Sequence, residues 1–436
     1  MQDSRTARIR ALARVDRSRA EAELVALIGD LFGLTAKDLR INPDPYSLNS
    51  LNGFFDTPDG SFFFKFHQEE GEEAMSGEYY RADILARAGL PVDQPLHVSA
   101  LPGEQILIYR RRMDPRFADI LRALDLHDDP DRRARAVDAE RTLCRTLMAV
   151  YRQTLHPVTP EEVAAEAIHR LFHDRMVDPA TGRAPGGRLA DYYVGKRFSF
   201  PGLELHWDEL AASRFVVNGV AYGSTIGDLF AAAAERLAPR RLANHGGVVA
   251  HGDAHNANVW YAEDGRGQAA LSYFDPAFAG RHVPALLAEI KPTFHNIFAH
   301  PFWLYEPDLA EQRYRASVRK RGTELHVDMD WRLSPIREAL LKVRSTELWR
   351  PLLEELRRRH LLPLEWRRLV RLGLFLCPTL VMNLRAGVGA HTPKSSLIAF
   401  SIAVMAGSEP MEGSDLLTEF LDAIDPCGVQ NARRAH

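Results

Sequence analysis

The chain changes texture twice, and that change limits the folds open to it. Residues 45–112 read as short strands and turns: "SLNSLNGFF", the turn "DTPDG", the aromatic run "SFFFKF", then "PLHVSAL" and "EQILIYR" parted by Pro102-Gly103. Apolar residues recur at helical spacing before this stretch, over 5–33, and after it, over 116–125, 134–155 and 160–176. One amphipathic helix, "EYYRADILARAGL", lies inside the strand-rich part, closed by Gly89 with Pro91 beyond. The pattern predicts an α+β chain of two textures. Residues 1–44 form a helical extension and 45–112 a small, mostly antiparallel sheet with one helix and an Asn/Gly-rich turn at 49–53. Residues 113–420 form a large, mainly helical part, and 421–436 a weakly ordered tail. Within the helical part, 177–224 is an insertion rich in Gly, Pro and aromatics, with "RFVVNGVAYG" a hairpin turning at Asn218-Gly219. Residues 283–420 read as helices again.

Composition narrows the function classes. A net charge of −3 gives no electrostatic reason to expect nucleic acid or an anionic membrane as partner. Three cysteines, Cys144, Cys377 and Cys427, are too few and too scattered for a disulfide framework or a thiolate zinc site. The first residues lack an apolar core of the secretory type, and "LIAFSIAVMAG" at 397–407 is too short to span a bilayer. The expected setting is cytoplasmic. Of 55 basic residues only seven are lysines: Lys37, Lys65, Lys196, Lys291, Lys320, Lys342 and Lys394. A lysine is therefore informative here, being a compact point charge where this chain normally places a planar fork.

The densest chemistry lies in "VVAHGDAHNANVWY", 248–261. Asp253 and Asn258 bracket a turn that leads into a short strand, and Asp275 follows a second short strand one hairpin later. Two such loops at one end of a hairpin bring an Asp, an Asn and a second Asp together. That set offers oxygen ligands for a hard cation and leaves one carboxylate to act on a hydroxyl, the kit phosphoryl transfer requires. Two other readings compete: a polar turn with satisfied histidines, and a zinc or iron site on His251, Asp253 and His255, whose i, i+2, i+4 spacing shares one strand face. The second gives Asn258 and Asp275 no role. Upstream, Lys65 stands in an otherwise aromatic strand, suited to contact phosphates from a rigid element, and Glu78 opens the next helix as its carboxylate partner.

"HGDAHNAN" matches the H-G-D-x-H-x-x-N signature of the aminoglycoside phosphotransferase and choline kinase group, and the "SLNSLNGFF" turn, "FFFKF", the "GEYYRADILARAGLPV" helix and "YFDP" resemble further parts of that family. The resemblance covers about 45–112 and 225–285. It implies a two-lobed protein-kinase-like fold with a nucleotide-binding N-lobe, a catalytic loop at 248–261 and a second metal segment at 271–280. It makes Asp253 the catalytic residue facing the acceptor hydroxyl, and Asn258 and Asp275 the Mg²⁺ ligands. Lys65 would hold the α/β-phosphates with Glu78 as partner, and Asn49, Ser50 and Asn52 would donate to the phosphates. The backbone around Ile108, Tyr109 and Arg111 would meet the base. His251 and His255 become structural residues of the loop. The co-substrate is ATP or GTP, and the acceptor a hydroxyl of a small molecule of sugar, amino-alcohol, nucleoside or antibiotic type. No nucleic acid or membrane partner is implied, and the oligomeric state is open. The family's Gly-Asp-Pro-like segment and following Asp are missing from "DPAFAGRHVPALLAEIKP". Two aromatic stretches, 192–207 and 294–305, could line the acceptor site, with core the expected fate of at least half of those rings. A nucleotide-binding pseudokinase, a Ser/Thr protein kinase and a metallohydrolase using His251, Asp253 and His255 are the alternatives.

Overall fold

Two helices and a sheet are assembled first along the chain. Ser4 caps α1 (Arg5–Val15) by accepting from the Ala7 N–H, and Asp16 ends α1 while capping α2 (Arg17–Phe32). Each such cap is worth about 1 kcal/mol. Ala20, Leu24, Leu27 and Ile28 bury one face of α2, and Gly33 closes it in the left-handed conformation. The structure, a computed structural model, describes residues 4–42, 50–67, 81–99, 101, 104–300 and 302–427. It divides into two compact units, Met1–Ala86 with Pro91–Asp114, and Arg87–Leu90 with Pro115–His436.

In the first unit, β1 (Lys37–Ile41), β2 (Ser50–Thr57), β3 (Gly60–His67), β4 (His97–Ser99) and β5 (Ile106–Arg110) form one antiparallel sheet in the order β1-β2-β3-β5-β4, beside the short α3 (Arg81–Arg87). Phe55, Phe62, Phe64, Ile106 and Ile108 pack with Ile9, Leu24, Leu27 and Ile28 of α1 and α2. The N-terminal segment is therefore no separate extension: 37–41 is a sheet strand, and the two helices cover one sheet face. The other face carries Phe54, Phe63 and Tyr109 in one row, with Asn52 directly opposite Lys65 in the next.

The expected turn at 49–53 is corrected where it can be seen. Residues 50–53 belong to β2, because the Pro58-Asp59 turn sets a ladder running from Thr57↔Gly60 back to Ser50↔His67. Gly53 stands in that ladder because β1 crosses close by: a Cβ there would lie 2.0 Å from the Arg40 carbonyl oxygen. Asn49 and Glu78 lie outside the described residues.

The second unit is mainly helical. Long helices Phe117–Leu126 and Pro130–Thr154 are followed by the insertion, where β6 (Arg197–Phe200) pairs with β7 (Leu203–His206) and β8 (Arg214–Val217) with β9 (Val220–Ala221). The β8–β9 turn is the expected one, with Asn218 and Gly219 at φ 50° and 85°. Then come β10 (Gly247–Ala250), β11 (Val259–Glu263), β12 (Ala269–Tyr273) and β13 (Gly280–Pro284), paired antiparallel as β10–β13 and β11–β12. The helix Ala285–Thr293 contains Pro292 and runs into a π-helical turn, Phe294–Phe298. A proline inside a helix removes a backbone donor, and local rewinding is the usual consequence.

Two further expectations are corrected. Residues 283–420 are not all helix: β14 (Ala316–Arg321) and β15 (Glu324–Met329) form a hairpin at Arg321–Glu324, and β15 adds parallel to β8. Alternation in "ELHVDM" buries Leu325, Val327 and Met329 and overrides the helical surroundings. The weakly ordered tail expected over 421–436 is corrected at its start, since the helix Leu416–Ile424 buries Leu417, Phe420, Leu421 and Ile424; 428–436 lie outside the described residues. Among the described residues no helix is long and apolar enough to cross a membrane.

Candidate active site

The site is built where the two ribbons meet. β10 delivers His251, Gly252 and Asp253 into a loop that returns through a short 3₁₀ turn, Asn256–Asn258, into β11. β12 delivers Asp275 into a second loop that returns to β13. The loops are tied together by the Phe274 N–H donating to the Asn258 carbonyl at 3.0 Å and by His251 Nε2 meeting the Phe274 carbonyl at 2.9 Å. Gly252 takes φ 79°, and a Cβ on it would lie 2.3 Å from the Phe278 carbonyl oxygen. Only glycine lets the two loops approach this closely. Asp275 itself sits at φ 54°, rare for a residue with a side chain and commonest where function holds the backbone.

Asn258 Nδ2 donates to the Asp253 carbonyl at 3.0 Å, which commits the nitrogen end and leaves Oδ1 as an oxygen donor. Asn258 and Asp275 are thus brought to neighbouring positions at the ends of β11 and β12, with Asp253 in the same loop. One amide oxygen and one carboxylate are hard ligands suited to Mg²⁺, which takes few protein ligands and completes its shell with water and phosphate oxygens.

The histidines are spoken for. His251 is buried, its Nδ1 accepts from the Asp253 N–H and its Nε2 serves Phe274, so neither nitrogen is left for a metal. His255 Nδ1 accepts from the Ala257 N–H, and its Nε2 lies 3.8 Å from Asp253 Oδ1. Burial pushes His255 down to about 4, against a smaller upward pull from Asp253, so it is neutral at pH 7. Among the described residues no group of three His, Cys, Asp or Glu side chains could hold a metal ion. The His251–Asp253–His255 zinc reading is thereby set aside.

One residue of the site escaped the sequence reading. Lys291, on the helix Ala285–Thr293, forms an ion pair with Asp253 Oδ1, and the two side chains are only 7% and 12% exposed. Burial alone would raise the Asp253 carboxyl, but Lys291 overrides it, with His255 helping, and the group is held far below the usual carboxylate range. The available signal was a lysine in a chain that prefers arginine, at the head of "KPTFHNIF". Beyond it, His295 Nδ1 meets the Tyr305 hydroxyl, and the His295 and His255 rings lie 5.9 Å apart. Burial drives His295 and His300 well below the usual imidazole range, so both are neutral. Arg175 and Arg188 both donate to the Leu380 carbonyl at the end of the helix Trp366–Val381, at 3.4 and 2.9 Å.

The aromatic stretches divide much as expected. Tyr193, Phe198, Phe298 and Trp303 are fully buried core, Tyr193 stacking on Trp207 at 5.9 Å. Tyr305 keeps 40% of its surface exposed while its hydroxyl turns in on His295.

Of the residues expected to hold the nucleotide, Lys65 and Asn52 are register partners on one sheet face, and Ser50 opens β2. Ile108 and Tyr109 lie at the end of β5, and Arg111 is the first residue beyond it. The ladder already uses the Ile108 carbonyl, which accepts from Leu96, and the Arg111 N–H, which donates to Ser61. Arg111 lays its guanidinium 4.3 Å over the Phe54 ring.

No family model matches the chain, and no curated protein does. Among solved structures it is similar to a spectinomycin phosphotransferase in complex with ADP and spectinomycin, at 12% identity over 88% of this chain and 98% of that one, with a TM-score of 0.37. It is similar to a thermostable mutant aminoglycoside phosphotransferase in ternary complex with AMP-PNP and hygromycin B, at 13% identity over 88% and 98% and a TM-score of 0.41. A macrolide 2'-phosphotransferase from Brachybacterium faecium matches at 14% over 89% and 99%, with a TM-score of 0.34.

Proposed function

We propose that the chain is a Mg²⁺-dependent phosphotransferase that moves the γ-phosphoryl group of ATP or GTP to a hydroxyl of a small molecule. The observation that carries this reading is the joining of the two ribbon loops, which sets Asp253, Asn258 and Asp275 together with the amide oxygen of Asn258 left as a donor. Asn258 and Asp275 would hold the ion, which supplies neutralisation of phosphate charge. Asp253 orients the acceptor hydroxyl and takes its proton as the bond to phosphorus forms, with His251 fixing the loop behind it. Lys65, held by a strand paired on both sides, is the phosphate lysine of this reading. Asn52 beside it and Ser50 support the phosphates, and Asn49 and Glu78 keep their roles as expectations from sequence.

The test is Asp253→Ala. Turnover of Mg²⁺-nucleotide with acceptor falls by about 10²–10⁴-fold, the usual share of a positioned acid–base group, while ADP binding is retained. Unchanged turnover in the variant removes Asp253 from the mechanism. The Lys291 ion pair favours a second reading, a nucleotide-binding pseudokinase, because it ties up the carboxylate that must face the hydroxyl. In that case ADP binds and no acceptor in any class is phosphorylated.

A further inference from the structure

Lys291 is the feature the phosphotransferase reading does not absorb. Its ammonium is buried, yet among the described residues Asp253 is its one hydrogen-bond partner. An ammonium has three N–H groups, and leaving them unmet in a buried place is costly. The neighbouring groups repeat the pattern. His295 is 1% exposed, its Nδ1 engages the Tyr305 hydroxyl, and its Nε2 has no partner among the described residues. In the tautomer in which the tyrosine donates to Nδ1, Nε2 carries the proton. Asn256, the residue after the Asp253–His255 turn, is 3% exposed, and its Nδ2 also lacks a partner among the described residues. Its backbone N–H is held by Asn296 Oδ1 at 2.7 Å, which fixes the loop against the π-helical turn. Arg175, which feels the charge of Asp253, has no carboxylate within ion-pair distance among the described residues.

These groups are donors in surplus around the carboxylate of Asp253. Buried donors are satisfied in working proteins, so the surplus asks for an acceptor-rich guest. A neutral polyol adds a further O–H donor with every hydroxyl and no compensating charge. A polyamine brings more donors and more positive charge, which Lys291 and Arg175 repel. An oxyanion brings only acceptors and the complementary charge.

We propose, resting on the phosphotransferase reading, that the acceptor is a small hydroxyl compound bearing a carboxylate or phosphate beside the reacting hydroxyl, with Lys291 and His295 Nε2 holding that oxyanion next to Asp253. Lys291 is then shared between the carboxylate of Asp253 and the acceptor, and the hydroxyl is delivered to Asp253 by the same ion that neutralises it. His295 lies four residues beyond Lys291, in the π-helical turn that follows Pro292.

The test is calorimetric titration of the intact protein with gluconate, glucose 6-phosphate, glucose and kanamycin, each with and without Mg²⁺-ADP. The inference expects gluconate or glucose 6-phosphate to bind about tenfold or more tightly than glucose, with kanamycin weakest, and the two anionic arms tell carboxylate from phosphate. Lys291→Met weakens the anion about tenfold or more and leaves ADP binding within about twofold, whereas Lys291→Arg retains most of the affinity. Should Lys291→Met fail to fold, His295→Leu and the wild-type ranking decide. Glucose or kanamycin binding more tightly than both anions, no anion binding, or an unweakened folded Lys291→Met overturns the inference. Absence of ADP binding overturns the phosphotransferase reading instead, and the arms without nucleotide keep the two failures distinct.

Discussion

Replacing Lys291 by methionine removes a charge while keeping nearly all of the volume, and leaves Asp253 buried opposite an apolar side chain. The Asp253 side chain is 12% exposed, so its ionised form loses both its partner and most of its water. Breaking a buried pair at one partner costs about 3–5 kcal/mol. The carboxyl can avoid that by taking up a proton, and at pH 7 this costs about 1.36 kcal/mol for each of the roughly three units above its ordinary value, about 4 kcal/mol. The penalty is therefore capped at about 4 kcal/mol at pH 7 and at about 1.5 kcal/mol at pH 5. Asp253→Asn alone strands the ammonium and is destabilising for the same reason. The double variant Asp253→Asn, Lys291→Met removes both charges together and is much closer to wild type, giving a coupling of at least about 2 kcal/mol. Urea denaturation of the four proteins, followed by circular dichroism at pH 7 and pH 5, measures the cycle. Additive single effects, or a Lys291→Met penalty that does not shrink at pH 5, refutes the pairing as described.

Three further outcomes follow from the same geometry. Gly252→Ala forces a Cβ into the Phe278 carbonyl at a left-handed position and costs about 2 kcal/mol or more by urea denaturation, with loss of turnover; a neutral variant contradicts the close approach of the two loops. His255 has a folded value of about 4, below its ordinary 6.5, so the unfolded chain binds the extra proton between those values and stability falls as pH drops from about 6.5 to 4. His255→Gln removes about 3 kcal/mol of that pH dependence, and an unchanged stability–pH profile contradicts it. Asp253→Ala retains nucleotide while losing turnover, measured by fluorescence titration of ADP beside a coupled ADP-release assay.

How far the sequence could be read depended on the range of the interactions. Strand and helix textures are local, so the antiparallel sheet around "SFFFKF", the helical bulk and the Asn218-Gly219 hairpin were all legible. The Asp253–Asn258 loop was legible because its residues are five apart. Lys291 was not, because it meets Asp253 from 38 residues away on a helix whose apolar surroundings give no cue to a charge. Asn52 and Gly53 looked like a turn because Asn and Gly usually make one; close passage of β1 supplied a different reason for the glycine. The β14–β15 hairpin hid in an Arg-rich stretch between helices, its alternation short and half polar. The division of 1–44 failed because α1 and α2 cover a sheet whose other face carries Lys65.

The measurement that bears most directly on the central claim is transfer of label from γ-³²P-labelled ATP or GTP, with Mg²⁺, to a small hydroxyl compound, in wild type and Asp253→Ala. The account predicts a labelled organic phosphate in wild type and almost none in the variant. Label released only as inorganic phosphate, or equal transfer by both proteins, would contradict it.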